Sequence, residues 1–361
     1  MSVKSFEKDN TIAIGKVIAA ILVIIGHSGF LSVDTQIYGL GFDATSFIID
    51  TSFIKRLFEV MVGLIYSCHM ELFMALSGMV YCICEQKNKY KDIKLFVINK
   101  FKRLVIVYFI VSLLFCIPLG AMCGYFGKPI EWIKVFYYLL GFGKNHLWFL
   151  IALFYIFIII RISKNNDLLK RIIFISSVIM NIIVNKVYIT ECFYIDKLMM
   201  YLIWFIIGIE IQKKIKIIDD LNKRDHLIGS MGFACFWSGF YLLEKITESY
   251  IIDVLTSTSG VLFFIIFSNT IFKYYSNITD NKIFNIISNK TYDLYLYGTP
   301  INYIIFAILS NLYDDRHPLI LNNIMSLVFI IIRICCQLVI PLGISLLLEK
   351  FGSLSNKRQC H

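Results

Sequence analysis

The sequence KVIAAILVIIGH at residues 16–27 places two ionisable side chains, Lys16 and His27, at the ends of a run of ten uncharged residues. This run lies in the first hydrophobic segment of the chain, which is apolar enough for a membrane-spanning helix. At about 1.5 Å of rise per residue, the two positions are roughly 16 Å apart and near one helix face. Ionisable residues inside a span are costly, so both are functional candidates. The alternative is that Lys16 snorkels to the headgroups and His27 caps the far end.

The composition is that of an integral membrane protein. Of 361 residues, 58% are hydrophobic and 17% are charged, and the mean hydropathy is +0.72, far from the values of soluble globular proteins. The net charge of +10 comes from basic residues in short loops, where they act as topology signals, so we expect no nucleic-acid partner. Most cysteines fall inside apolar runs as small core residues, and we expect neither a disulfide framework nor a metal site.

Apolar runs of about twenty residues predict an all-α, polytopic membrane bundle of about ten transmembrane helices. The first run lacks a cleavage site and is interpreted as a span rather than a signal peptide. We expect one membrane-embedded domain over residues 1–361, with no appended soluble domain. The predicted spans are 12–30, 60–84, 104–125, 146–160, 172–188, 198–212, 227–243, 254–272, 292–312 and 320–348.

The distribution of basic residues predicts the orientation of this bundle. The termini and the loops on their side hold 24 Lys and Arg residues, whereas the alternate loops hold 8. Short cytoplasmic loops carry the excess of Lys and Arg, so both termini are predicted to be cytoplasmic. The first span then runs outward, with Lys16 near the inner leaflet and His27 in the outer half.

Three histidines are predicted at similar depth in the outer half of the membrane: His27, His69 and His146. A neutral histidine can act as a general base near neutral pH. Glu71 could orient a histidine or act as a base itself, but at i+2 from His69 it lies on another face unless the helix is broken. Taken singly, each histidine could equally be an interfacial or packing residue.

A second cluster is predicted at the cytoplasmic end of the third span. Lys100, Lys102 and Arg103 are close in height to Lys16 if these helices are neighbours. Such a cluster suits a ligand that bears phosphates, with a bidentate fork from arginine and point charges from lysine. Ordinary positive-inside anchoring is the alternative.

A cationic inner end and a base near the outer face fit a phosphate-bearing donor such as coenzyme A that reaches across the membrane. A proton-coupled transporter would also need intramembrane ionisable groups, so both classes stay open. Arg333, deep in the last span, needs a partner, and Glu71 and Asp293 are the intramembrane acids available to it.

Four motifs resemble those of acyltransferase family 3, the integral-membrane enzymes that O-acylate cell-surface carbohydrates. They are KVIAAILVIIGHS at 16–28, HMELFMALSG at 69–78, FKRLVIVY at 101–108 and HLWFL at 146–150. The resemblance extends in order to about residue 300. It implies ten spans, a catalytic first-span histidine, and binding of an acyl-CoA donor by the basic run of the third span. HLWFL, and the histidine before MELF, are frequent in the branch related to sugar O-acetylases.

The chain departs from the family pattern at several positions. Lys16 replaces the more usual arginine, which keeps the charge but loses the bidentate geometry. Ala13 stands where many relatives have an acidic residue, while Val107 and Glu71 replace prolines. Gly298 occupies a position where relatives often have histidine. These departures bear on donor and substrate details.

We therefore expect a multi-pass O-acyltransferase of the inner or plasma membrane that transfers acetyl from cytoplasmic acetyl-CoA to a glycan hydroxyl. A non-enzymatic transporter of a glycan or small polar solute is the alternative. The partners expected are acyl-CoA, a glycan acceptor and the lipid bilayer. The residues assigned on this basis are His27, His69 and Glu71 for catalysis, Lys16, Lys102 and Arg103 for the donor, and His146 and Trp148 for the substrate, with no metal.

Overall fold

The fold, seen in a computed structural model, is described for residues 10–34, 40–90, 92–142, 145–186, 193–247 and 249–358. Nearly all of its regular structure is helical. The helices are α1 (Asn10–Ser28), α2 (Phe53–Tyr66), α3 (His69–Gln86), α4 (Ile93–Lys100), α5 (Val107–Val111), α6 (Ile117–Met122), α7 (Trp132–Leu139), α8 (Trp148–Ile162), α9 (Asp167–Lys186), α10 (Ile195–Lys213), α11 (Ile215–Asp219), α12 (Lys223–Thr247), α13 (Tyr250–Tyr274), α14 (Lys282–Leu312) and α15 (Asn323–Arg358).

Four short strands in the described part of the chain form two pairs, one within the loop after α1 and one that connects this loop with the loop before α15. β1 (Ser32–Asp34) pairs antiparallel with β2 (Gly41–Asp43), and β3 (Ile48–Asp50) pairs parallel with β4 (Leu319–Leu321). Because β3 and β4 are far apart in sequence, their pairing ties the beginning of the bundle to its end.

The helical, multi-pass character predicted from the sequence is confirmed. Among the residues that the structure describes, six helical segments are long and apolar enough to cross a membrane: Asn10–Ser28, Phe53–Gln86, Ile93–Met122, Lys223–Thr247, Tyr250–Tyr274 and Asn323–Lys350. The other four predicted spans fall on α8, α9, α10 and α14. Ten spans, cytoplasmic termini and a single domain stay predictions. Residues 187 and 188 of the fifth predicted span, and the terminal residues 1–9 and 359–361, lie outside the described part of the chain.

The helix that carries the opening motif lies at the centre of the bundle. α1 packs against α2, α3, α13, α14 and α15, and most of its side chains are buried. Its alanines and glycines let these neighbours come close, as small residues do at helix contacts in membranes. Lys16 and His27 are therefore on a helix surrounded by protein.

A pair of glycines brings the backbones of α3 and α10 into contact. A Cβ atom at Gly208 would lie 2.0 Å from the carbonyl oxygen of Ala75, and one at Gly78 would lie 2.1 Å from the carbonyl oxygen of Phe205. Only glycine fits at such a crossing. The contact fixes α10, which carries cavity residues, against α3, which carries His69.

The helix of the second span is interrupted at Ser67 and Cys68, between α2 and α3. The Ser67 hydroxyl donates to the carbonyl of Leu64 at 2.7 Å and accepts from Trp237 Nε1 at 3.0 Å. The Ser67 carbonyl accepts from the Ser257 hydroxyl at 2.7 Å. The interruption is thus held by α12 and α13.

The third span is not a regular α-helix. Between α4 and α6 it contains two π-helical segments, Phe101–Ile106 and Ser112–Cys116. Pro118 follows the second segment and has no N–H to donate to the carbonyl of Leu114, which favours a wider turn there. π-Helical turns often occur at functional sites, and the first of these carries Arg103.

Candidate active site

A cavity of about 410 Å³ lies beside the C-terminal end of α1. His27, His69 and His146, predicted at similar depth, all border it. Most of the other bordering side chains are aromatic or polar, among them Tyr66, Asn145, Trp148, Lys197, Tyr201 and Tyr295. We call this space the outer cavity. The structure therefore brings the three histidines of the sequence motifs together.

The imidazole of His27 meets the hydroxyl of Tyr66. Its Nδ1 atom lies 3.3 Å from that hydroxyl, and the two rings are edge to face with centroids 6.2 Å apart. Gly26 makes this approach possible, because a Cβ atom there would be 2.6 Å from Tyr66 Cε2. When Nδ1–H donates to Tyr66, the Nε2 atom of His27 is left as the proton acceptor.

The backbone of His27 is held by Arg333 and Asn302. Arg333 Nη2 donates to the carbonyls of His27 at 3.2 Å and Phe30 at 2.6 Å, and Arg333 Nε donates to Asn302 Oδ1 at 3.1 Å. Asn302 Nδ2 also donates to the His27 carbonyl at 3.2 Å. The last carbonyls of a helix lack intrahelical donors and carry partial negative charge, so a guanidinium suits this position.

This arrangement corrects the expectation for Arg333. Neither Glu71 nor Asp293 is among its partners; Asp293 accepts instead from the Ser345 hydroxyl and lies 3.9 Å from Lys290 Nζ. Arg333 is 1% exposed. Its charge is stabilised by carbonyl and amide oxygens and by the ring of Phe306, at 4.9 Å.

The ring of His69 is fixed by the interruption between α2 and α3. Its Nδ1 atom lies 3.2 Å from the carbonyl oxygen of Ile65, which can only accept, so the neutral ring carries its proton on Nδ1 and presents Nε2 as an acceptor. Its centroid is 4.5 Å from that of Tyr66. His69 is therefore next to the residue that contacts His27.

His146 is held by a carbonyl that a proline leaves free. Pro300 lies inside α14 and cannot donate to the carbonyl of Leu296 four residues earlier. That carbonyl accepts from His146 Nε2 at 3.1 Å. In return, the hydroxyl of Tyr295 donates to the carbonyl of His146. The segment before α8 is thus bound to α14 at two points.

Asn145, the residue before His146, orders the same segment. It is fully buried. Its Oδ1 accepts from the amide of Leu147 at 3.0 Å, and its Nδ2 donates to the Ser112 hydroxyl at 3.1 Å. The polar core beside the cavity is therefore hydrogen-bonded rather than unsatisfied, as buried polar groups must be.

Trp148 forms an aromatic surface on another side of the outer cavity. Its indole is stacked on Tyr201, with centroids 4.9 Å apart and an interplanar angle of 26°. Lys197 Nζ lies 6.0 Å from the indole ring and 2.9 Å from Asp196 Oδ2. Flat aromatic faces beside polar groups suit a ligand that has both apolar faces and hydroxyls.

Glu71, assigned to catalysis from the sequence, is not one of the residues around the outer cavity. Its Oε2 atom is buried without a hydrogen-bond partner among the described residues. Within the part of the chain that the structure describes, no hydrogen bond connects Glu71 with His27 or His69.

A second cavity, of about 180 Å³, lies toward the other end of α1. Lys16, Lys100 and Arg103 border it, together with apolar side chains of α3 and α8. Lys100 Nζ is 3.7 Å from the ring centroid of Phe157, and the Arg103 guanidinium is 5.6 Å from that of Tyr292. Cations over aromatic faces are held in place without being neutralised. We call this space the inner cavity.

The basic residues predicted for the donor are only partly brought together. Lys16 and Arg103 border the inner cavity, whereas Lys102 is exposed and does not border it. Lys100, which sequence analysis grouped with them but did not assign to the donor, takes that place. Lys100 and Arg103 are at positions i and i+3, which share a helix face, and this spacing was the available signal.

One side chain belongs to both cavities: Tyr295 borders the inner and the outer cavity. Tyr295 is 7% exposed. It packs edge to face against Phe149, with centroids 5.6 Å apart, and lies 6.4 Å from the ring of Phe73. Phe73 and Phe149 border only the inner cavity. The two spaces are thus adjacent, with the ring of Tyr295 at their common wall.

The comparison with protein families identifies the chain. A family model described as an acyltransferase domain matches residues 9–342. The chain belongs to acyltransferase family 3. No curated protein and no solved structure matches this acyltransferase. The matched range includes both cavities and all the residues assigned from the sequence.

Several residues of the candidate site were not found from the sequence. Tyr66 contacts His27, Asn302 holds its carbonyl, and Tyr295 lies between the cavities. Pro300, inside a predicted span, was the signal that a carbonyl of α14 would be free for another donor. No group of three or more His, Cys, Asp or Glu side chains suited to a metal ion occurs among the described residues.

Proposed function

We propose that this acyltransferase moves an acetyl group from cytoplasmic acetyl-CoA to a hydroxyl of a cell-surface or lipid-linked glycan, in the inner or plasma membrane. The observation that carries the proposal is the pair of cavities on α1, one bordered by cations and the other by histidines, which meet at Tyr295. A donor with a charged head and a long uncharged arm matches this order of groups.

The inner cavity supports binding of the donor. Lys16, Lys100 and Arg103 provide positive charge for its phosphates. The space of about 180 Å³ suits the narrow arm and thioester better than the whole donor, so the nucleotide is placed at the mouth. There Lys102, exposed beside Arg103, could meet it as well.

The outer cavity supports binding of a sugar. The stacked pair of Trp148 and Tyr201 offers an aromatic face to the apolar side of a sugar ring. Lys197 and the imidazoles of His69 and His146 offer hydrogen bonds to its hydroxyls. We place the reacting hydroxyl at His27, since that histidine lies at the end of α1 where the helix meets this cavity.

The proposed chemistry uses His27 as a general base. Nε2 takes the proton of the glycan hydroxyl while its oxygen attacks the thioester carbon. The carbon–sulfur bond breaks, a carbon–oxygen ester bond forms, and the imidazolium returns the proton to the thiolate, giving acetylated glycan and free CoA. Tyr66 orients the imidazole through Nδ1. The overall balance is the same if the acetyl group rests on His27 during transfer.

Purified protein in lipid nanodiscs, supplied with [14C]acetyl-CoA and envelope polysaccharide of the expression host, tests this proposal. We expect label in the polysaccharide with the wild type and none with His27→Ala. His317→Ala is the matched control, since His317 is exposed and borders neither cavity. Equal labelling by His27→Ala would overturn the role of His27. Movement of unmodified polysaccharide across the bilayer, without consumption of acetyl-CoA, would favour a transporter instead.

A further inference from the structure

The ring of Tyr295 separates two spaces of different chemistry. On one side, the part of the inner cavity next to Tyr295 is bordered by the rings of Phe73 and Phe149. On the other side, the outer cavity is bordered by polar groups, including Asn145 and Lys197. Water is therefore better accommodated in the outer cavity than in the apolar end of the inner one.

The hydroxyl of Tyr295 donates a hydrogen bond to the carbonyl of His146. The ring of His146 lies in the outer cavity, 6.1 Å from the ring of Tyr295. The Nε2 atom of His146 also donates to the carbonyl of Leu296, which lacks a donor within α14 because Pro300 has no N–H. His146, which borders the outer cavity, thus holds Tyr295, whose ring separates the outer cavity from the inner one.

We propose that Tyr295 is a specificity-determining residue that makes the enzyme transfer acetyl to a glycan hydroxyl rather than to water. The inference rests on the proposed function. With the ring in place, the thioester lies in the apolar end of the inner cavity, away from the water of the outer cavity. Excluding water from a reactive group suppresses its hydrolysis. For transfer, the ring moves aside when an acceptor occupies the outer cavity.

Loss of the ring joins the two cavities and exposes the thioester to water. The side reaction is balanced in the same way as transfer: water oxygen attacks the thioester carbon, the carbon–sulfur bond breaks, and acetate and CoA are released. Both reactions consume the same donor, so their ratio reports the partition between glycan and water. A merely structural role for Tyr295 would lower both rates and leave that ratio unchanged.

The experiment measures acetate and polysaccharide-bound acetyl from one sample of [14C]acetyl-CoA. For Tyr295→Ala we expect the ratio of hydrolysis to transfer to rise by about tenfold or more, and for Tyr295→Phe, which keeps the ring but loses its hydrogen bond, by less. Tyr297→Ala is the matched control, because Tyr297 packs on Phe115 and borders neither cavity. Its ratio should equal that of the wild type.

Failure of the proposed function and failure of the inference about Tyr295 give different results. A wild type that consumes no acetyl-CoA overturns the proposed function and this inference with it. A wild type that labels the polysaccharide, with a Tyr295→Ala variant of unchanged ratio, overturns the inference alone. Should Tyr295→Ala not fold, Tyr295→Leu keeps the buried volume and removes the hydroxyl and ring, and the same criterion applies to it.

Discussion

Arg333 donates a hydrogen bond from Nη2 to the carbonyl oxygen of His27 across 3.2 Å. A residue of the last helix thereby holds the end of the first, at the position of the proposed base. The same guanidinium reaches Phe30 and Asn302. It therefore fixes the direction in which α1 presents His27 to the outer cavity.

Replacing this guanidinium should impair transfer more than donor binding. In Arg333→Lys the charge remains, but a single ammonium cannot reach three oxygens in the fork geometry. We expect kcat to fall by about 10 to 100-fold, since small misplacements of catalytic groups cost about that much. The KM for acetyl-CoA should be nearly unchanged, because Arg333 does not border the inner cavity. An unchanged kcat would show that Arg333 does not position His27.

Gly26→Ala should disturb the contact between His27 and Tyr66. The added methyl group would be 2.6 Å from Tyr66 Cε2, so the ring must move away. We expect kcat to fall by about tenfold, less than the roughly 100-fold or more that loss of a positioned acid–base group costs, because His27 itself remains. Gly232→Ala is the control, because the new Cβ would meet no atom of another described residue within 4 Å, apart from its chain neighbours and the backbone of its own helix. Equal kcat values for the two variants would argue against a role for Tyr66.

Pro300→Ala should separate stability from activity. The new N–H can donate to the carbonyl of Leu296, which then no longer needs His146 Nε2. We expect the thermal unfolding temperature to be unchanged or raised, because alanine is the better helix former. Transfer to polysaccharide should fall as His146 loses its position. A folded variant with full transfer activity would contradict the role of this carbonyl.

Lys100→Gln and Lys102→Gln test which lysine binds the donor: Lys100, as the cavity indicates, or Lys102, as the sequence motif predicts. Lys100 borders the inner cavity and Lys102 does not. Loss of one contact between a cation and a phosphate costs about 1.5 kcal/mol or more, so we expect the KM for acetyl-CoA to rise about tenfold for Lys100→Gln. The rise for Lys102→Gln should be smaller. A larger rise in KM for Lys102→Gln than for Lys100→Gln would show that the sequence motif identifies the donor-binding lysine better than the cavity does.

The sequence was sufficient for the helical class, the central importance of the first helix and the grouping of three histidines. Each depends on local information: hydrophobic run length, the cost of an ionisable group in a span, and the alternation of basic loops. The candidate bases were found because a buried histidine stands out in an apolar segment.

Contacts between distant segments could not be predicted in this way. Arg333 was expected to need an acid, but the carbonyls of His27 and Phe30 serve it. Which carbonyls face a given side chain depends on helix packing, which a single sequence does not encode locally. The helix interruption at Ser67 and Cys68, stabilised from α12 and α13, likewise has no strong signal in its own residues.

The wall at Tyr295 also bears on the electrical insulation of the membrane. Moving one elementary charge through a potential of 100 mV corresponds to about 2.3 kcal/mol. On the proposed route the phosphates stay with Lys100 and Arg103, and only a neutral acetyl group passes the aromatic ring. Acylation on the far side of the bilayer would then require no work against the membrane potential, and the cell could modify its surface without an ion leak.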